Sequence, residues 1–416
     1  MRTIFSVTAM SALLTLLRML LGFIIVKIVA VYSGPNGMAL LGQVQNMVNS
    51  LNGIANSPAG NGIVRYTAQN QDKGDEYCSG WWKASIQLIL LITVLFAVPG
   101  VFFSAEISQW LFQTKHYGYV VQLAILLMPL SALGTLFSSV LNGKQQYKRF
   151  IITSMISVLI SSAIIIALVA LFSIEGILIA AVAQSAAIGL VLVLSNIAQP
   201  WTKMKLWWGS STNEKRKEIG LYMLMALTSS LTLPISLILI RNILVDHAGW
   251  DAAGQWQAVW KISEVYLGII TISLSTYFIP TLSTLKSPDD IINKIHDVLK
   301  IILPVVAVVA IIVYMLRDVA IFILFTKEFS ASRDLFAIQL IGDVVKVVGW
   351  LYACPMISRG ATKWFIFSEI FFSMVFVAVG WVLIPKFGAE GANIAYLVNY
   401  SLYLIFMVAN VRRFSR

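Results

Sequence analysis

Apolar runs of nearly constant length, separated by short polar or Gly/Pro-containing interruptions, recur along the whole chain. They fall at 10–31, 37–63, 84–103, 120–141, 151–172 and 176–197, and again at 219–240, 256–279, 301–316 (extending to 324), 335–356, 365–384 and 391–411. An α-helix needs about 20 mostly apolar residues to cross the hydrocarbon core of a bilayer. The pattern therefore predicts an all-α polytopic membrane protein with about twelve transmembrane helices. The first run sits where a signal peptide would, but it is longer than an h-region, contains Arg18 and Lys27, and is not followed by a small-x-small cleavage site. It is read as the first crossing.

Composition narrows the class further. With 58% hydrophobic and 12% charged residues in 416 positions, a dozen crossings leave no room for a sizeable soluble domain. Of the thirty Lys and Arg residues, twenty lie in every second loop or at the ends, six in the alternate loops and four inside helices. Lys and Arg resist translocation, so the basic loops mark the cytoplasmic side and place both termini there. The net charge of +11 then reads as a topology signal, and a nucleic-acid partner is not expected.

The longest basic interruption, 201–218, divides the chain into two six-helix lobes, 1–200 and 219–416, with a basic cytoplasmic linker that reads as solvated or headgroup-facing. A repeat supports the division. FSIEGILIA at 172–180 recurs as FGAEGANIA at 387–395, five identities in nine positions at an offset of 215 residues. Parallel repeats of this kind occur in transporters whose substrate path runs between two bundles.

Charges inside the apolar runs are the leading site candidates. They are Arg18 and Lys27 in helix one, Lys261 and Glu264 in helix eight, Asp343 and Lys346 in helix ten, and Glu369 in helix eleven. A charge near the bilayer centre costs at least about 2.5 kcal/mol, so such groups face protein or a watery path. Lys261/Glu264 and Asp343/Lys346 are both spaced i, i+3, so each pair either neutralises itself or serves transport. Nothing acidic in helix one can pair with Arg18 or Lys27, which lie about 180° apart around the helix; for Lys27 the alternative is snorkelling to an interface. Gln45, Asn49, Asn52 and Asn56 step by four, three and four along one face of helix two. Carboxamides donate and accept, so the stripe suits hydroxyl-rich sugars, with interhelical hydrogen bonding as the alternative. A phosphate or pyrophosphate head would be drawn to Arg18, Lys27, Lys261 or Lys346. Glu264, Asp343 and Glu369 are candidates for ion coupling or ion pairing. Pro129, Pro234, Pro304 and Pro355 fall in or near spans and allow bending.

Other chemistries find no footing. Two cysteines, Cys78 in a predicted loop and Cys354 in a predicted helix, form no CxxC motif, and His116, His247 and His296 have no metal-ligand spacing. No GxxxxGK[ST] occurs, so nucleotide hydrolysis is not expected, and neither is a cofactor or metal. A membrane glycosyltransferase or polymerase would need a larger carboxylate-bearing loop than 201–218 provides.

The stretch Ile25-Val26-Lys27 through Tyr32-Ser33-Gly34-Pro35-Asn36-Gly37 to Leu41-Gly42-Gln43 resembles the Wzx flippases of the MOP exporter superfamily. Arg333-Asp334-Leu335-Phe336-Ala337 followed by Gln339 to Val347 is also similar to them, in particular to the lipid III flippase branch. The resemblance spans the chain in length and helix count. It implies a MATE-like pair of lobes and alternating access in a bacterial inner membrane. The implied cargo is an undecaprenyl-pyrophosphate-linked glycan, an O-antigen or enterobacterial common antigen unit, moved to the periplasmic leaflet. Membrane lipid and a polysaccharide polymerase complex are the implied partners, and Lys27, Asp343 and Lys346 the positions carried over by matching motifs. The rival is an ion-coupled drug or cation antiporter of the same superfamily, in which buried carboxylates would dominate; a purely structural or assembly role would leave charges in both halves unexplained.

Overall fold

The computed structural model describes residues 2–285 and 287–415. Lys286 and Arg416, counted above among the basic loop residues, lie outside the described residues. Twelve α-helical elements follow in order: α1 (Arg2–Asn56), α2 (Asn61–Asn70), α3 (Asp75–Phe102), α4 (Ser104–Phe112), α5 (Gly118–Gly143) and α6 (Tyr147–Leu194), then α7 (Met204–Trp207), α8 (Asn213–Thr284), α9 (Pro288–Met315), α10 (Arg317–Leu324), α11 (Phe336–Ser358) and α12 (Thr362–Phe414).

Among the described residues nine helical stretches are long and apolar enough to cross a membrane. Three of the long elements break in mid-course at a glycine: α1 at Gly34 (φ 57°), α8 at Gly249 (φ 82°) and α12 at Gly388 (φ 56°). A positive φ cannot continue a right-handed helix and is strained for any residue with a Cβ, which is why glycine stands at these breaks. Counting the limbs on either side of each break recovers twelve crossing-length segments.

Local signals account for the ends. Ser287 caps α9 by accepting a hydrogen bond from the Asp289 amide at 3.2 Å, and Pro288, Asp289 and Asp290 occupy the first turn, where a missing N–H and negative charge are favourable. α9 thus begins 13 residues before the predicted run at 301. Its first turns are amphipathic, with Ile291 and Ile295 buried, and its later turns expose Ile301, Val305, Val308, Ile312 and Met315. Such a continuous apolar outer stripe is what lipid requires.

The elements of the two halves correspond at the 215-residue offset read from the sequence. The breaks at Gly34 and Gly249 are separated by that interval, as are the first residues of α6, Tyr147, and α12, Thr362. A Cβ on Gly176 would strike the Leu168 carbonyl, and one on Gly391 would strike the Leu383 carbonyl, which is the same contact one repeat later. In each half the last two helical elements pack along each other: α5 on α6, and α11 on α12.

Two compact units result, 2–32 with 40–235, and 33–39 with 236–415. Their border falls inside α8, between Ile235 and Ser236, and not where the basic segment ends. The first limb of α8 belongs to the first unit because Ser230 packs against Gly53, and Ile219 and Tyr222 against Gly62. The segment 201–218 also differs from the solvated linker expected of it. Trp201 and Trp207 are buried, Trp207 stacks on Trp82 (centroids 5.2 Å) and Phe137 (4.9 Å), and its indole N–H donates to the Trp201 carbonyl at 2.8 Å. The lysines of this segment dominate its reading in sequence, but its tryptophans decide its position. Cys78, expected in a loop, is buried in α3, and both cysteines are free thiols.

Candidate functional site

A buried polar cluster lies in the second unit. α11 carries Gln339, Asp343 and Lys346 at i, i+4 and i+7, which places them on one face. The second limb of α8 brings Trp260, Ser263 and Tyr266, and α12 brings Tyr396 and Tyr400. Gly342 makes room for α12: a Cβ there would lie 2.6 Å from the Tyr396 ring.

Asp343 is fully buried. Its Oδ1 accepts from the Tyr396 hydroxyl at 2.8 Å and from Gln339 Nε2 at 3.2 Å, its Oδ2 accepts from the Tyr266 hydroxyl, and Ser263 also hydrogen-bonds the carboxylate. Neutral donors thus saturate a buried carboxylate. No ion pair within 4 Å joins Asp343 to Lys346 among the described residues. The Lys346 ammonium instead lies 5.7, 5.5 and 5.0 Å from the ring centroids of Trp260, Tyr396 and Tyr400. An aromatic box of this kind holds a cation without neutralising it.

The two i, i+3 pairs therefore separate. Lys261 and Glu264 form an ion pair at 2.8 Å, with Glu264 on the exposed side; Asp343 and Lys346 form none, and only longer-range attraction links their charges. Glu369 on α12 is half-buried, within electrostatic reach of Tyr403.

Arg241 departs from expectation. Counted among loop cations, it lies within α8, is fully buried, donates through Nη2 to Gln257 Oε1, and stands 5.7 Å from the Trp256 ring. Arg241 and Gln257 are each eight residues from the break at Gly249, so the bond ties the two limbs of α8 together. The predicted run ended at residue 240, one short of it.

In the first unit the candidates are more open. Arg18 is exposed on α1 and has no ion pair among the described residues, and Lys27 is half-buried. Gln45, Asn52 and Asn56 are half-buried and Asn49 is exposed, while the same limb buries Val44, Met47, Val48 and Ala55 beside and behind the stripe. No hydrogen bond joins any of the four carboxamides to another helix among the described residues.

Sequence reasoning named Asp343 and Lys346 but missed Tyr266, Tyr396, Tyr400, Trp260 and Gln339. The available signal was weak: Tyr396 and Tyr400 are spaced i, i+4, but aromatic residues at helical spacing more often mark packing.

With this geometry described, comparison with known proteins places the chain. The sequence profile of the polysaccharide biosynthesis protein family matches residues 6–286. The chain belongs to this family. The lipid III flippase of Escherichia coli (strain K12) is 32% identical over 94% of this chain and 93% of its own length, and that of Shigella flexneri matches equally. Among solved structures, an inward-facing multidrug resistance MATE family transporter of the MOP superfamily superposes with a TM-score of 0.74 at 12% identity, covering 96% of this chain and 94% of its own. The lipid II flippase MurJ in an inward closed conformation gives 0.76 at 14%, covering 99% and 90%. At such low identities these two establish the fold alone, an all-helical polytopic MATE- and MurJ-like architecture.

Proposed function

We propose that this chain is a flippase that carries an undecaprenyl-pyrophosphate-linked oligosaccharide, lipid III or an O-antigen unit, from the cytoplasmic to the periplasmic leaflet of a bacterial inner membrane. The reading rests above all on 32% identity to lipid III flippases over nearly the whole of both chains. The basic-loop census supports cytoplasmic termini, and the element-by-element repeat supports two six-helix halves that exchange access to the two sides.

Division of labour among the charges follows from their surroundings. Lys346 is the cation best placed to receive a pyrophosphate oxygen, because it is half-buried beside three aromatic rings and has no carboxylate within 4 Å among the described residues. Within the first unit, Arg18 and Lys27 are the cations that would attract an anionic head group. Lys261, paired with Glu264, contributes less. Asp343 and Glu369 are the candidates for coupling to an ion, Asp343 because its protonation would rearrange the hydroxyls that bond it. The flippase acts without covalent chemistry, and a polymerase complex would receive its product.

The buried carboxylate also supports a second reading, an ion-coupled drug or cation antiporter. The test is complementation of a Gram-negative host lacking its flippase genes, with wild type, Lys27→Ala and Lys346→Ala at equal membrane abundance. Restoration of surface glycan by wild type and its loss with Lys346→Ala supports the flippase. Absence of restoration, with ion-dependent drug efflux from the same membranes, selects the antiporter.

A further inference from the structure

Resting on the flippase reading, we infer that the carboxamide face of α1 is the subsite that recognises the sugar hydroxyls of the cargo, separate from the cations that attract its phosphates. The face lies wholly in the first unit and carries no charge: Gln45, Asn49, Asn52 and Asn56, at steps of four, three and four. Gly53 lies on the same face, four residues after Asn49 and three before Asn56, and there the first limb of α8 crosses, with Ser230 against Gly53. Around the crossing the hydroxyls of Thr228 and Ser230 donate to their own helix, to the Leu224 and Leu227 carbonyls, each at 3.2 Å. Their oxygens remain available as acceptors. Among the described residues the carboxamides have both donors and acceptors unused, and Asn56 Oδ1 is shielded from solvent with no hydrogen-bond partner. A buried acceptor left without a donor is unfavourable unless a ligand supplies one.

The repeat supplies an independent observation. Positions that the scaffold requires recur 215 residues later: the glycine breaks at 34 and 249, and the close approaches at Gly176 and Gly391. The stripe does not recur. Its counterparts at that offset are Trp260, Glu264, Leu267 and Thr271. Four carboxamides kept in one half only, at a polar cost in a membrane helix, are therefore explained by an asymmetric ligand and not by the fold. A pyrophosphate-linked glycan is such a ligand. Its neutral hydroxyl-rich end suits carboxamides, which bond sugars without attracting the phosphate.

The test is binding to the full chain in nanodiscs of two probes, undecaprenyl pyrophosphate and an undecaprenyl-pyrophosphate-linked trisaccharide. Wild type is compared with Asn49→Ala/Asn52→Ala/Asn56→Ala. Because these side chains hydrogen-bond nothing among the described residues, the triple variant is expected to fold; should it not, Asn49→Ala and Asn52→Ala separately answer the same question. Loss of two or three neutral hydrogen bonds predicts a Kd for the trisaccharide lipid about 10- to 100-fold higher, with the Kd for the bare lipid changing less than about twofold. Equal weakening for both probes, or for neither, overturns the subsite. Wild type that binds the bare lipid as tightly as the trisaccharide lipid overturns it as well. Wild type that binds neither probe refutes the flippase reading itself, and the subsite with it.

Discussion

Asp343→Ala removes the single acceptor on which four buried groups converge, the hydroxyls of Tyr266, Tyr396 and Ser263 and the amide of Gln339. An orphaned buried donor costs about 1–3 kcal/mol in proteins generally, whereas interhelical bonds in membrane proteins average about 0.6 kcal/mol. Four donors, some of which find new partners after the change, set the expected loss at roughly 2–5 kcal/mol. Asp343→Asn keeps one carbonyl oxygen but turns an N–H₂ toward donors, so it should lose a good part of that, though less than alanine. The assay is equilibrium unfolding of the purified protein in mixed detergent and SDS. A double-mutant cycle with Tyr396→Phe isolates the 2.8 Å bond, for which a coupling of about 1 kcal/mol or more is expected. An alanine variant within about 0.5 kcal/mol of wild type, the usual range for a surface substitution, or a coupling near zero, would refute the claim that this carboxylate organises α8, α11 and α12. Transport measured for the folded Asn variant then separates charge from packing: if ionisation of Asp343 drives the cycle, that variant keeps the fold and loses transport.

Three further outcomes follow from other parts of the structure. Gly189→Leu should cost about 1–3 kcal/mol by overpacking, because even a Cβ there meets the Leu130 carbonyl and lies 3.0 Å from the Ser131 Cα; the same unfolding assay reads it, and a neutral result would mean that α5 and α6 are not packed backbone to backbone. Trp207→Ala should cost about 3–5 kcal/mol through the cavity left between Trp82 and Phe137 and should make 201–218 sensitive to limited proteolysis, whereas Trp208→Ala, at an exposed position, should do neither. Arg241→Met should destabilise less than Arg241→Ala, since it keeps volume in a fully buried site while both abolish the bond to Gln257; equal losses would argue that the charge, and not the packing, holds the two limbs of α8.

Several features were legible because a bilayer imposes them on any sequence. Helix existence follows from run length, and the repeat from matched residues at a constant offset. Arg18, Lys27, Asp343 and Lys346 stood out because charge in an apolar run is costly wherever the helix packs. The family resemblance was likewise carried by contiguous motifs. What each polar residue does was not legible, since that depends on neighbours distant in sequence. Lys261/Glu264 and Asp343/Lys346 have the same spacing, yet only the first pair closes, because Tyr266 and Tyr396 arrive from α8 and α12 to satisfy Asp343 while three rings enclose Lys346. Arg241 lay one residue beyond a predicted run and looked like a loop cation, but the helix continues to Gly249 and buries it against Gln257. The segment 201–218 reads as a charged tether by composition, yet three indoles and Phe137 draw it into a core. Sequence alone determines periodicity, length and local charge, which are properties of one segment in a solvent. Which charges are neutralised, which stripe is left without partners, and which helix limb joins which unit are properties of several segments packed together, and only the tertiary structure decides them.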